Sequence, residues 1–244
     1  NLTPATGSGA PATRAARLLF HEFGRKLADL WRFEAGVMAP GEVGDLRGRD
    51  HLESALASGK GVLLVTVHLG NWELGATALA RFGRRLLVLT RAEPGDRFTE
   101  RRQAARAAQG IDTLVVGDSG FGVVEVMRRL GDGGLVAQLI DRPDPGTAVR
   151  TTFLGAAFDV SRAPAELARA TGCVILPTTL VRIPGGYRAE VLPAIPYDRR
   201  NLGSAEARAA FAGEILRAFE PAVRQHPEQW FHFVPVWPVS DEPS

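Results

Sequence analysis

Cysteine is almost absent from this 244-residue chain: Cys173 stands alone, so no intramolecular disulfide forms and no cysteine cluster can hold a structural zinc. The composition fits a reducing compartment. Lysine is nearly as scarce, since Lys26 and Lys60 are the only two and arginine supplies the other 27 of the 29 basic residues. An excess of one charge is missing too. Basic residues number 29 against 27 acidic ones, a formal net charge of +2, which gives no ground for nucleic-acid binding. Long apolar runs are lacking as well: the longest, residues 62–67, falls far short of the roughly 20 residues that a spanning helix needs. Residues 1–12 carry Gly, Pro, Ser and Thr without a charged or apolar signal region, so they are predicted to be a flexible tail. What is present is ordinary globular material. With 45% hydrophobic and 23% charged residues, the chain has ample length to bury a core without a metal or cofactor.

Apolar residues recur at helical spacing over residues 13–33, with Arg14, Arg17, Arg25, Lys26 and Arg32 between them, which predicts a basic amphipathic helix. Such a helix can lie in a membrane interface or pack on the domain core. A Gly/Pro-containing connection at residues 36–48 leads into the remaining chain, read as one domain over 49–240 after a helix and connection at 13–48. There, apolar β-rich runs at 62–67, 86–90, 113–116, 135–140, 174–181 and 187–192 alternate with helical patterns at 50–58, 72–82, 97–109, 120–130, 163–171 and 204–223. Strands buried on both faces and alternating with helices predict an α/β fold, a three-layer α/β/α domain with a mainly parallel mixed sheet. The turn Pro184-Gly185-Gly186 adds an antiparallel pair. Ligands in such sheets gather beyond the carboxyl ends of the strands, which singles out His68, Arg91 and Asp141.

His68 directly follows the first buried run, and Glu73 lies five positions on. On one helix that pair would sit ~140° apart, so a dyad needs a turn, which Gly70 permits. A carboxylate on one imidazole nitrogen would fix the tautomer and leave the other nitrogen to take a proton. The alternative is structural: a hydrogen-bonded strand-end histidine, with the glutamate favoured by a helix dipole. Asn71 can likewise be an oxyanion donor or a helix cap. Between Arg81 and Arg106 eight arginines face three carboxylates, a local +5 that suits either an anion or a solvated helical face. No Gly-x-Ser-x-Gly nucleophile motif occurs, and Cys173 before an apolar run reads as a buried thiol.

The hexapeptide His68-Leu69-Gly70-Asn71-Trp72-Glu73 resembles the HX4E motif of the bacterial lipid A biosynthesis acyltransferases, within the wider lysophospholipid acyltransferase superfamily. Further similarities follow in order: Arg106 four before Gly110, Gly133-Gly134 before a strand ending in Asp141, Phe153-Leu154-Gly155, residues 167–172, and His226-Pro227-Glu228-Gln229-Trp230-Phe231. The resemblance spans about residues 61–237. It implies a glycerol-3-phosphate acyltransferase-like fold and transfer of a fatty acyl chain from an acyl carrier protein or coenzyme A thioester to a hydroxyl of a glycolipid, first a lipid A precursor, with neither metal nor other cofactor. His68 would act as base and Glu73 would orient it. Arg106 would meet an anionic lipid or donor phosphate, and Asp141 would shape the same substrate-binding site; Arg91, which follows a strand, could take a phosphate too, behind Arg106, and Asn71 is the oxyanion candidate. Arg106 as a solvated helix residue and Asp141 as a turn cap are the bland rivals.

Family members usually carry an N-terminal membrane helix. None is legible here, which makes peripheral attachment to the cytoplasmic face of the inner membrane through residues 13–33 the expectation. Departures after Arg91 and in residues 231–237 leave the acceptor open. The alternatives are a phosphatidylinositol mannoside or another lipid, a thioesterase using water, or a catalytically inactive lipid-binding module.

Overall fold

The computed structural model describes residues 1–37, 43–80, 85–91, 96–116 and 121–237. In chain order the elements are α1 (Thr3–Thr6), α2 (Ala10–Glu34), β1 (Val43–Arg47), α3 (Arg49–Ala57), β2 (Val62–Thr66), α4 (Trp72–Ala80), β3 (Leu86–Thr90), α5 (Asp96–Ala107), β4 (Ile111–Val115) and α6 (Phe121–Gly131). There follow β5 (Leu135–Leu139), β6 (Ala148–Phe153), β7 (Ala156–Ser161), α7 (Ala163–Thr171), β8 (Val174–Ile183), β9 (Gly186–Val191), α8 (Ala205–Arg217) and α9 (Glu220–Gln225).

Seven strands form one sheet in the order β1-β9-β8-β2-β5-β3-β4. Every neighbouring pair is parallel except β8 and β9, which the Pro-Gly-Gly turn joins antiparallel. The expected three-layer α/β/α domain is therefore what the chain builds. Alternation along the strands sorts the apolar side chains into two cores. Leu64, Val88, Leu135 and Val191 pack with Leu52 of α3, while Leu63, Val65, Val136 and Ile175 pack on the other face with residues of α6, α7 and α8. Each central strand is thus buried on both sides, which is why it reads as a continuous apolar run.

Three features depart from the sequence expectation. Residues 1–12 are not a free tail: α1 forms, α2 begins at Ala10, Leu2 is buried, and the Asn1 amide donates to the His232 carbonyl at 3.0 Å. An apolar anchor and an amide offset the ordering entropy that a Gly- and Ser-rich composition raises. Strands β1, β6 and β7 fall where no strand is predicted. The β6–β7 pair closes over Leu154 and Gly155, both at positive φ, and the Glu220 carboxylate accepts from the Leu154 N–H at 2.8 Å. The helix predicted over 204–223 breaks into α8 and α9 at Pro221, which cannot continue the hydrogen-bond ladder and sits well in a new first turn. Parts of the predicted helices 72–82 and 120–130 and of the arginine-rich segment 81–106 lie outside the described residues.

Candidate active site

The strand β2 ends one residue before Val67, and residues 68–71 are stitched to two neighbouring segments. The Phe231 N–H donates to the His68 carbonyl at 2.8 Å, Gly70 N–H to the Gln229 carbonyl at 2.9 Å, and Asn71 N–H to the Leu180 carbonyl at 2.8 Å. Gly70 has φ of 66°, and a Cβ there would meet the Leu180 carbonyl oxygen at 1.9 Å. Only glycine lets the chain pass so close and still reverse. His68 is therefore held by its backbone before its ring makes any contact.

The ring is held by Asp141, which follows β5 as β5 lies beside β2. Asp141 Oδ1 lies 2.7 Å from His68 Nδ1, and Oδ2 accepts from the His68 N–H at 2.9 Å, Trp230 Nε1 at 3.0 Å and His232 Nε2 at 2.7 Å. Four donors occupy the roughly four lone-pair sites of one carboxylate. The proton positions follow. Arg142 Nε approaches His232 Nδ1 at 3.4 Å and can only donate, so His232 carries its proton on Nε2, toward Asp141. Asp141, with no acceptor role left for its partners, likewise takes the proton of His68 Nδ1. That leaves His68 Nε2 as the basic nitrogen. Burial would push the Asp141 carboxyl up, but His68 and His232 outweigh it and hold it well below the usual carboxylate range. Burial lowers His68 from 6.5 against the upward pull of Asp141, with Arg142 and His232 adding to the fall, so the imidazole stays neutral near neutral pH.

The expectation that Glu73 reaches back to His68 is corrected. Glu73 lies in the first turn of α4 and points at α5, where Arg106 Nε and Nη2 donate to it at 3.1 and 2.8 Å and Arg102 Nη2 stands 2.6 Å from Oε1. Burial pushes Glu73 up, but Arg106, Arg102 and Lys26 together hold it below its ordinary value. A planar guanidinium satisfies both carboxylate oxygens at once, a fit that a single imidazole nitrogen cannot match. Arg106 is accordingly a buried partner of Glu73 rather than a solvated helix residue. Asp141 is no turn cap.

The remaining expected contacts divide. Asn71 is fully buried, and its amide N–H groups point to the Lys26 carbonyl at 3.3 Å and the Tyr187 hydroxyl at 3.4 Å, tying α2 to β9. The expected oxyanion role is corrected on that ground, because both N–H groups face protein acceptors. Arg91 follows β3 as predicted and sits half exposed, 2.6 Å from the Asp144 carboxylate. Trp72 packs its ring edge-on to His68 with centroids 4.9 Å apart, and Lys26 Nζ lies 3.1 Å from the centre of the Trp72 ring. Such a contact is favourable where water is excluded.

His68, Trp72 and Glu73 border a cavity of about 1120 Å³ that opens at the carboxyl ends of the strands and extends along both faces of the sheet. Beneath α4 its wall is apolar, with Leu64, Leu79, Val88, Leu180 and Val191. Toward α6 and α7 the wall mixes Leu89, Val126 and Leu167 with Gln138, Ser161 and Glu166. Phe23, Lys26 and Leu27 of α2 complete one side, so this helix is part of the site whatever else it touches. Among the described residues, His68, Asp141 and His232 also form a donor set whose atoms lie within 4.8 Å of one another. The two 2.7 Å contacts are hydrogen-bond lengths, and each imidazole N–H is already engaged with the carboxylate.

His68, held by a buried carboxylate beside a cavity that is apolar beneath α4, belongs to the hexapeptide that suggested the family. The sequence model of the bacterial lipid A biosynthesis acyltransferases matches residues 25–238. The chain belongs to that family. Among its relatives is a phosphatidylinositol mannoside acyltransferase of Mycobacterium tuberculosis, 29% identical over 192 residues, which are 78% of this chain and 58% of that protein. Another of the same name from Mycolicibacterium smegmatis is 27% identical over 227 residues, 88% of this chain and 71% of that protein. The chain thus spans less than two thirds of the mycobacterial tuberculosis relative.

The family match begins inside α2, which agrees with the part that Lys26 plays in this acyltransferase-family site. Lys26, Arg102, Trp230 and His232 were not among the site residues expected from the sequence. One signal for the last two was present. Trp230 and His232 alternate in an extended stretch that departs from helical spacing, so both side chains face one way.

Proposed function

We propose that this protein transfers a fatty acyl chain from an acyl thioester, carried on acyl carrier protein or coenzyme A, to a hydroxyl of a phosphatidylinositol mannoside. The observation that carries the reading is His68, fixed by Asp141 through Nδ1, at the wall of a cavity whose α4 side is apolar. The acceptor hydroxyl gives its proton to His68 Nε2 as its oxygen attacks the thioester carbonyl. The new C–O bond forms, the C–S bond breaks, and the imidazolium returns the proton to the leaving sulfur. Asp141 stabilises the imidazolium meanwhile, and His232 and Trp230 keep that carboxylate in place. The acyl chain lies beneath α4. A lipid A precursor, the acceptor expected first, has the family's description behind it. The names of the relatives favour the mannoside.

On the same reading the protein sits peripherally on the cytoplasmic face of a membrane. No helix among the described residues is long and apolar enough to cross one. Phe20 and Trp31 of α2 are 68% and 58% exposed, and Phe233, which stacks against Phe20, also lines the cavity. Exposed aromatic side chains on a helix that also lines the cavity support contact with lipid at that side.

The test is mass spectrometry of the lipids formed from palmitoyl-coenzyme A or acyl-loaded carrier protein with each acceptor. The mannoside is expected to gain one acyl chain, and His68→Ala to lose about 10²–10⁴-fold in rate. Wild-type rates in His68→Ala would overturn the mechanism. Tight lipid binding with no turnover on any acceptor would leave an inactive lipid-binding module instead.

A further inference from the structure

Gln138 is out of place by the rules that explain the rest of the sheet. It sits in β5, a strand paired on both sides, between Val136 and Ile140 on one face, and both neighbours are wholly buried apolar residues. Gln138 is itself only 8% exposed, and its Oε1 has no hydrogen-bond partner. A buried amide oxygen left unpaired is a standing cost to the fold, and a sheet centre would otherwise favour Val or Ile. The residue borders the cavity on the α6 and α7 side, three positions before Asp141. Its terminal torsion is broad, so the amide can turn toward an occupant.

The surroundings say what kind of occupant. Ser161, Thr147, Glu166 and Arg162 line this arm of the cavity together with Leu89 and Val126, and Glu166 already takes a hydrogen bond from Arg208 at 2.8 Å. A wall that mixes donors and acceptors with apolar side chains suits a polyol, whose hydroxyls both give and take hydrogen bonds and whose ring C–H groups are apolar. A hydrocarbon chain has nothing to offer an unpaired amide oxygen. We propose that Gln138 determines acceptor specificity: its Oε1 accepts a hydrogen bond from a hydroxyl of the acceptor's sugar or cyclitol head group. The inference rests on the acyl-transfer reading and deepens it by assigning the two arms of the cavity to different substrates. An N–H of the donor's pantetheine arm offers the same hydrogen bond, and the experiment separates the two.

The test replaces the amide with an apolar side chain of similar length, Gln138→Met, with Gln138→Leu as the second variant should the first not fold. Three quantities are measured: the KM for a mannosylated phosphoinositide, the KM for palmitoyl-coenzyme A, and the slow hydrolysis of palmitoyl-coenzyme A without acceptor. The expected result is an acceptor KM raised tenfold or more, with donor KM and hydrolysis unchanged. The ligand-free variant should also melt at or above the wild-type temperature, because an unpaired polar atom has gone. A purely structural amide would give the opposite, a lowered Tm with an unchanged acceptor KM, and would overturn the proposal. A raised donor KM or slowed hydrolysis would also overturn it and place the thioester's amide at Gln138. Failure of the wild-type protein to acylate any acceptor would instead strike the acyl-transfer reading itself.

Discussion

Two carboxylates flank His68, and their surroundings differ in kind. Asp141 leaves the end of β5 and meets neutral donors: two imidazoles, an indole and a backbone N–H. Glu73 leaves the first turn of α4 and meets two guanidinium groups, with Lys26 close enough to lower its titration. On the proposed mechanism, the first environment keeps a negative charge poised next to the group that gains a proton during the reaction. The second neutralises its charge outright and spends it on holding α4 to α5. Proximity in sequence thus assigned the wrong partner to the histidine, because the short turn at Gly70 sends the following helix away while the parallel neighbour β5 delivers a residue just past its end beside it.

The comparison breaks most visibly at Asp141. Asp141→Asn places an amide N–H against donors that need an acceptor and deprives His68 of its support. A fall of about 10³–10⁴-fold in acyl transfer is expected, with a lowered Tm, measured by steady-state assay and calorimetry. The wild-type pH profile sharpens the same point. Because His68 is held below 6.5, the rate should rise with pH through a value under 6.5 and stay level above it. The sign follows from the base being active only when unprotonated. The lowered Asp141 pKa adds stability that is present above 3.8 and lost as pH falls through its folded value.

Glu73→Gln is the next largest effect and acts differently. Removing the charge leaves Arg102 and Arg106 facing each other in a largely buried site, a loss on the order of 3–5 kcal/mol for a broken buried pair. Stability in urea should drop by about that amount while the acid limb of the pH profile stays where it was. A shifted limb would mean that Glu73 does act on His68.

His232 gives a smaller effect, on the order of tenfold. His232→Ala withdraws one donor from Asp141, which then pulls harder on the His68 proton, so the acid limb should move upward. His232→Gln keeps a donating nitrogen and should restore part of the change. Equal profiles for all three proteins would show that His232 serves packing alone.

Much of this was legible in the chain. The parallel sheet could be read from runs such as 62–67 and 135–140, because strands covered on both faces must be apolar throughout. His68 and Asp141 could be read as strand-end residues. Their pairing could not, since it depends on β5 inserting between β2 and β3, an order that no local pattern encodes. The hairpin of β6 and β7 was hidden for another reason: Arg150, Thr151, Thr152 and Asp159 interrupt its apolar alternation, and its turn uses Leu154 at a positive φ that leucine seldom adopts. Lys26 was read as a surface charge on an amphipathic helix, yet it is 6% exposed over Trp72, where an aromatic ring and the Glu73 cluster replace water.

The smallest effect is expected at Arg91, the strand-end arginine that the sequence offered as a phosphate ligand beside Arg106. Its ion pair with Asp144 is open to solvent, with the two side chains 52% and 57% exposed, and its other contact is to the Arg142 carbonyl at 3.1 Å. Exposed pairs of this kind contribute about 0–1 kcal/mol and weaken with salt. Arg91→Ala should therefore leave Tm almost unchanged, and if the side chain binds no phosphate it should leave the donor KM within about twofold of wild type at 0.15 M salt. A donor KM that rises several-fold, and does so less as salt is added, would restore Arg91 as a phosphate contact. It would also show that solvent exposure at the cavity rim marks a group waiting for substrate, in contrast to the buried arginines on Glu73, whose charge the protein itself has already met.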